Sequence, residues 1–297
     1  MRISLFLLIS TLILSCSNDI HKYASSQEHN PWEELIDFNL SKWDSYLSFK
    51  HKNAYNGKPP IDEKKELIKP IGLNNDPYNV FSIFQEADDT IVRISGEYYG
   101  CLITKNDYQN YHLQLKYKWG NIKWQPRKDK LMDSGILYHS IGPLGAEFFR
   151  SWMLSQEFQI MEGYTGDYWS QATSGIDIKA YKPESNLNPL AHESQDYLPI
   201  SMKSKYKNYC MRKSNHENSK GEWNTLDLYC FEGKSLHVVN GEVVMILKNS
   251  RYTDENGNIV PLTKGKIQIQ SEAAEVFFKD IRIRSISTLS KEQLNLF

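Results

Sequence analysis

Short stretches in which apolar and polar residues alternate dominate the chain. Tyr111, Leu113, Leu115, Tyr117 and Trp119 alternate with His112, Gln114, Lys116 and Lys118. A period of two over such a run predicts a strand with one buried face and one wetter face. The same pattern predicts strands at 80–86, 90–95, 134–139, 157–161, 176–180, 225–231, 235–239, 242–247, 266–270 and 275–284. Asn240-Gly241 stands between two of these runs and predicts a tight hairpin, since both residues tolerate positive φ. Only residues 62–69, stopped by Pro70, read as a helix. Many strands with little helix predict an all-β sandwich or barrel. No repeat and no Pro/Gly/Ser linker divides it, so one domain is expected. Residues 181–224 are polar and aperiodic, and are expected to form a long loop insertion that walls or lids a cleft.

The longest apolar run lies at the N-terminus. It follows Met1-Arg2 and spans residues 3–14, interrupted only by Ser4, Ser10 and Thr11. As a helix it would rise roughly 18 Å, too short for a hydrocarbon core of about 30 Å, and a cationic start before a short apolar stretch is the build of an export signal. It ends Ile13-Leu14-Ser15-Cys16, which resembles the bacterial lipobox. That resemblance implies removal of residues 1–15, lipidation of Cys16 and a polar tether over 16–30. The expected location is therefore the cell envelope, in the periplasm or on the outer-membrane surface, with a membrane partner reached through lipid.

Composition narrows the function classes. A formal net charge of −1 lacks the basic excess that neutralises phosphates, so no nucleic-acid partner is expected. Cys101, Cys210 and Cys230 remain after Cys16. Export favours oxidation, and Cys210 and Cys230 flank a polar loop that a bridge would close, but three thiols leave at least one unpaired. Cys101 follows Gly100 in a strand-like run, where a buried thiol is the ordinary account.

Three segments carry candidate chemistry. In residues 133–139, a regular strand would put Asp133, Gly135, Leu137 and His139 on one face. Gly135 removes bulk there, which suits either tight packing or the close approach of a ligand. In residues 156–162, Glu157 and Gln159 share a face opposite Phe158 and Ile160. A carboxylate beside an amide suits sugar hydroxyls and supplies a general base, although an amphipathic strand shows the same pattern without any function. The run also resembles a Glu-x-Asp-x-x-Glu motif of laminarinase-type glycosidases. Gln159 replaces its central Asp, and Glu157 and Glu162 would face opposite ways in a regular strand, against a retaining pair about 5.5 Å apart. The third is aromatic: Trp119, Trp124, Trp152, Tyr164, Tyr168 and Trp169. Aromatics usually fill cores. Those within 163–171 are the better ligand candidates, because Gly163, Gly166 and Asp167 read as a loop.

Taken in order, Leu102-Ile103-Thr104-Lys105, residues 108–113, Asp133-Ser134-Gly135-Ile136, Glu157-Phe158-Gln159-Ile160, Gly221-Glu222-Trp223-Asn224, Val239-Asn240-Gly241, residues 265–270 and residues 276–283 are similar to the 3-keto-disaccharide hydrolase family. The match would span a domain at 31–285, with 286–297 left as a C-terminal tail. The resemblance implies a concanavalin A-like jelly-roll sandwich of two antiparallel sheets with a concave ligand face. It also implies action on glycosides oxidised at C3. The chain departs from the family pattern at Asp133, where Asn is usual, at His139, where Arg is common, and at a loose opening, Asp37 to Trp43.

A C3 ketone acidifies the hydrogen on C2, so the expected chemistry is proton abstraction, elimination of the C1 oxygen and hydration. Glu157 and His139 are the candidate bases, with Asp133 and Gln159 orienting the sugar and Lys105 offered to the enolate. Tyr164, Asp167 and Trp169 are the further candidates for touching substrate. No motif fixes a cofactor; a divalent metal held by Asp133, His139 and Glu157 would polarise the ketone if their strands were neighbours. The competing expectation is a lectin-like surface lipoprotein that binds glycans without turnover, because the fold alone does not set function. Last comes a structural lipoprotein with a vestigial cleft.

Overall fold

The computed structural model describes residues 30–49, 58, 60–146, 151–184 and 187–297. The export segment and Cys16 lie outside the described residues. Two antiparallel sheets face each other. The larger is ordered Leu190–Ala191, Ser174–Tyr181, Glu242–Thr253, Lys234–Val239, Asn224–Phe231, Tyr111–Lys123, Ala274–Ser285, Asp89–Ile94, Phe81–Glu86. The smaller is ordered Tyr209–Cys210, Tyr168–Gln171, Leu154–Met161, Asp133–Ile141, Lys264–Ser271, Gly100–Thr104, Trp43–Leu47, Gly72–Leu73. This is a concanavalin A-like jelly roll.

The alternation read from the sequence is what assembles it. Leu113, Leu115, Tyr117 and Trp119 point between the sheets and are buried, whereas Gln114, Lys116 and Lys118 stay half-buried on the outer face. Leu226, Leu228, Ile136, Phe158, Ile269 and Phe278 join them in the main core. Each such side chain, fully buried, is worth about 1.5–3 kcal/mol relative to exposure. The hairpin forms at Asn240-Gly241, with both residues at positive φ and Val239 paired with Glu242. The Asn240 side chain also ties the hairpin to its surroundings. Its oxygen accepts from the Thr225 amide at 2.8 Å and its nitrogen donates to the His216 carbonyl at 2.7 Å.

Two expectations are corrected, and the open question of cysteine pairing is answered. Residues 62–69 form a turn, closed by an Ile61–Leu67 bridge. Asp62 accepts from the amides of Lys64 and Glu66, Lys65 takes positive φ, and Ile61, Leu67 and Ile68 are all exposed. A helix there would have had no apolar face to bury. The helix that does form among the described residues is Lys291–Leu294, capped by Ser290. Its tail docks: Leu296 and Phe297 pack on Leu236, Val238 and Ile246 on the outer face. Residues 181–224 are likewise not structureless, for Tyr197–Ser201 pairs with Ser174–Tyr181 and Tyr209–Cys210 pairs with Tyr168–Gln171. Finally, no disulfide joins Cys101, Cys210 and Cys230; each is buried, Cys230 in the main core and Cys210 in a second cluster with Tyr168 and Met245.

Candidate active site

Three neighbouring strands of the smaller sheet build the floor. Glu157 pairs with Leu137, Gln159 with Gly135 and Met161 with Asp133, while Gln268 pairs with Leu137 from the other side. Side chains at alternate positions share a face. That rule puts Glu157 and Gln159, Asp133 and Gly135, and Gln268 and Gln270 together on the concave side, with Glu272 bridging Asp133 just beyond the strand end. Gly135 lies in the middle of this array. A Cβ there would collide with Gln270 Oε1 and would come 2.7 Å from Glu157 Oε1. The missing side chain is therefore what lets these two lean across the strand.

The resulting cleft has a volume of about 470 Å³. Its floor is Asp133, Glu157, Gln159, Gln270 and Glu272, with Arg127 reaching in from the 124–130 loop. Trp152 closes one side, and Trp169, Met202 and Asn208 the other. Trp152 is buried with Tyr46, Tyr99, Ile103 and Leu137, an apolar cluster that fills the rest of the concave face. Gln268 helps hold that closure by accepting from the Met153 amide at 3.1 Å. The long 181–224 segment supplies Met202 and Asn208, so it acts as a wall.

Polar contacts fix the floor. Asp133 accepts from Arg127 Nη2 at 2.6 Å and from Gln159 Nε2 at 2.6 Å. Arg127 Nη1 lies 3.9 Å from Glu272. Burial pushes the Asp133 carboxyl up to about 6, against the opposing pull of Arg127, the Ser134 amide and Gln159. Gln171 Nε2 donates to Glu157 Oε2. Gln159 Oε1, both amide atoms of the Gln270 side chain and Arg127 Nε are buried without a partner. Unmet donors and acceptors of this kind cost about 1–3 kcal/mol each, and a polyhydroxylated ligand is the natural partner for them.

The candidates named from the sequence separate cleanly. Glu157, Gln159, Asp133 and Trp169 come together in the cleft. His139 does not. A bulge interrupts the strand where the pairing shifts between Leu154 and Gln156, and His139 takes φ 54°. The extra residue reverses the facing, so the His139 ring sits in the core against Tyr111 and Tyr138. Burial lowers its pKa to about 4. Asp133, His139 and Glu157 therefore do not converge as a metal set, and among the described residues no other group of three His, Cys, Asp or Glu does.

Lys105 is also removed from the site: it donates to the Ser41 carbonyl at 2.8 Å, at the far end of the Gly100–Thr104 strand. Asp167 is fully buried and structural, accepting from the Arg212 amide at 2.8 Å, from the Arg212 guanidinium and from the Tyr209 hydroxyl. Tyr164 lies at the surface under Arg212. Tyr168 faces the second core cluster, Trp119 the main core, and Trp124 packs beside the apolar cluster around Trp152. Glu162 accepts from the Met132 amide at the strand end and does not line the cleft with Glu157. Arg127, Gln171, Gln270 and Glu272 do not stand out in the sequence, because the first lies in an aperiodic loop and the others resemble the wet positions of any strand.

The fold and the small, polar-floored pocket on its concave face define a carbohydrate-active jelly roll. The chain belongs to the 3-keto-alpha-glucoside-1,2-lyase-like domain family, whose model matches residues 31–284. No protein of curated function matches the sequence. Among solved structures, the chain is similar to two proposed glycosyl hydrolases of Parabacteroides distasonis. One shows 16% identity over 86% of this chain and 100% of that one, with a TM-score of 0.46. The other shows 16% identity over 88% and 95%, with a TM-score of 0.44. LamAcat of Zobellia galactanivorans is similar at 11% identity over 88% and 99%, with a TM-score of 0.43.

Proposed function

We propose that the protein is an exported enzyme that cleaves glycosides whose sugar carries a ketone at C3. The observation that carries this reading is the placement of Glu157 over Gly135, held by Gln171 and surrounded by the unmet amide oxygen of Gln159 and the unmet amide group of Gln270. Such a carboxylate suits a base aimed at one carbon of a ring whose hydroxyls the amides grip. The cleft volume is that of a small-molecule pocket and suits a small glycoside.

In the proposed reaction Glu157 takes the proton from C2, and the bonding pair forms the enolate of the C3 ketone. As the carbonyl re-forms, the pair moves to make a C1–C2 double bond and the C1–O bond breaks. The leaving oxygen takes up a proton. Water then adds its hydroxyl to C1 and its proton to C2, so the net change is hydrolysis. The family description, a 1,2-lyase, fits elimination across these two carbons.

The sequence before the described residues adds the location. Residues 1–15 would be removed and Cys16 would carry lipid, tethering the domain in the cell envelope.

The test uses the chain from Ser17 onward with a 3-keto-glucoside and its unoxidised parent, following release of the leaving group. Release from the keto compound alone, lost in Glu157→Gln, is expected. Binding of the unoxidised sugar without any release would instead make the protein a lectin-like module.

A further inference from the structure

The cleft is poorly suited to an enolate except at one point. Asp133, Glu157 and Glu272 all line it, and among its described lining residues Arg127 is the single cation. Once Glu157 has taken up the C2 proton, negative charge developing on a sugar oxygen would still be opposed by Asp133 and Glu272, unless that oxygen met the guanidinium. Arg127 is held where it can meet it. Its amide donates to the Trp124 carbonyl and its carbonyl accepts from the Lys130 amide, both at 2.9 Å, while Trp124 is itself tied to the Ser95 carbonyl at 2.9 Å. Asp133 and Glu272 hold the Nη atoms, which leaves Nε buried with no acceptor.

Resting on the reading above, we infer that the cleft is polarised along the sheet: Arg127 receives the C3 oxygen, and Trp169 with Met202 forms the subsite for the leaving group. The base fixes the direction. Glu157 leans over Gly135, and Asp133, the partner of Arg127, stands two residues along the same strand face, about 6.6 Å away. In the sugar, C2 lies between C3 and C1. With its hydrogen toward Glu157 and O3 toward Arg127, C1 and its substituent point away from Arg127. Trp169, in the Tyr168–Gln171 strand, lies on that side: it pairs with Glu157, which pairs with Leu137, so it stands beyond Gly135 as seen from Asp133 and two strands across.

Trp169 is only partly buried, is braced by the Tyr209 ring at 4.5 Å, and shares its side of the cleft with Met202, an exposed thioether. An indole face and a thioether recognise a flat apolar surface, which either the C–H face of a second sugar or an aromatic ring presents. Selection for the ketone and selection for the leaving group thus fall to different residues.

The experiment compares wild type, Trp169→Ala and Arg127→Gln on three 3-keto-glucosides with methyl, glucosyl and phenyl leaving groups. Exchange of the C2 hydrogen for deuterium is followed alongside release. For Trp169→Ala, kcat/KM should fall at least tenfold further on the glucosyl and phenyl compounds than on the methyl compound. A greater loss on one of the two large leaving groups identifies which source of apolar face the subsite prefers. For Arg127→Gln, both release and C2 exchange should fall at least a hundredfold on all three. Arg127→Lys, which keeps the charge next to Asp133 and Glu272 but loses the fork, guards against misfolding and should lose about tenfold. Equal losses on all three compounds in Trp169→Ala, or C2 exchange at the wild-type rate in both Arg127 variants, overturn the inference while leaving the proposed reaction standing. A wild-type protein that acts on none of the three compounds overturns the reaction and the inference together.

Discussion

Glu157 Oε1 lies 2.7 Å from the point where Gly135 would carry a Cβ. The two residues sit on adjacent strands, and the absence of one methyl group decides where the carboxylate rests. Gly135→Ala is expected to push Glu157 and Gln270 off the strand. Both obstacles are ends of flexible side chains, so the stability cost should stay near 1 kcal/mol, whereas kcat/KM on a 3-keto-glucoside should drop at least tenfold. Thermal melting and steady-state kinetics on the same preparation check the two halves.

Gln171 donates to the Glu157 carboxylate, a bond that favours its charged form. Gln171→Leu removes the donor while keeping a side chain of similar reach. The acid limb of the kcat/KM profile against pH should move upward, with kcat lowered severalfold. A profile superimposable on wild type would mean that Gln171 only fills space.

His139 and His237 are buried in neutral form, with pKa values lowered by burial to about 4 and about 3. Their unfolded values lie near 6.5, so below that pH the unfolded chain binds more protons and stability falls with acidity. Asp133 acts oppositely between about 6 and 4, since its folded carboxyl holds the extra proton. His139→Asn removes one histidine while suiting its positive φ. Between pH 6 and pH 4.5 the denaturation free energy of this variant should decline less steeply than that of wild type, by about 1.2 kcal/mol per pH unit. Urea titrations across that interval check the slope.

Cys210 and Cys230 are buried, with burial pushing the first well up and the second up to about 12. Cys101 is fully covered and receives a hydrogen bond from Gln268. In the chain from Ser17 onward, a thiol reagent should label none of the three in native buffer and all of them in denaturant. The melting temperature should not change on adding reductant. Rapid labelling of the native protein, read by mass spectrometry, would contradict this.

Period-two alternation is enough to locate most of the long strands, because sidedness is a local property: a strand with one buried face shows it in its own sequence. The sandwich and the concave placement of Glu157, Gln159 and Asp133 are legible for the same reason. His139 escapes that logic because one inserted residue reverses sidedness, and the partner strand that defines the bulge lies in residues 154–156, outside the local pattern. Residues 62–69 mislead in a different way: their composition tolerates a helix, but nothing packs against one. Arg127 is invisible in the sequence because its role depends on an approach to Asp133 across a loop. Gln270 acquires meaning only from Gly135 and Glu272 only from Asp133, each more than a hundred residues earlier in the chain.

The Lys264–Ser271 strand lies between Asp133–Ile141 and Gly100–Thr104, and among the described residues no other strand joins those two. During synthesis, Glu157 and Asp133 leave the ribosome long before Gln268, Gln270 and Glu272. Until that late strand arrives, the left and right parts of the concave sheet have no common edge, and Gly135 faces an empty lane. Contacts this distant in sequence close slowly. The cleft is therefore complete only once residues 264–272 are in place, and a polypeptide that lacks them holds Glu157 and Asp133 without the neighbours that orient them.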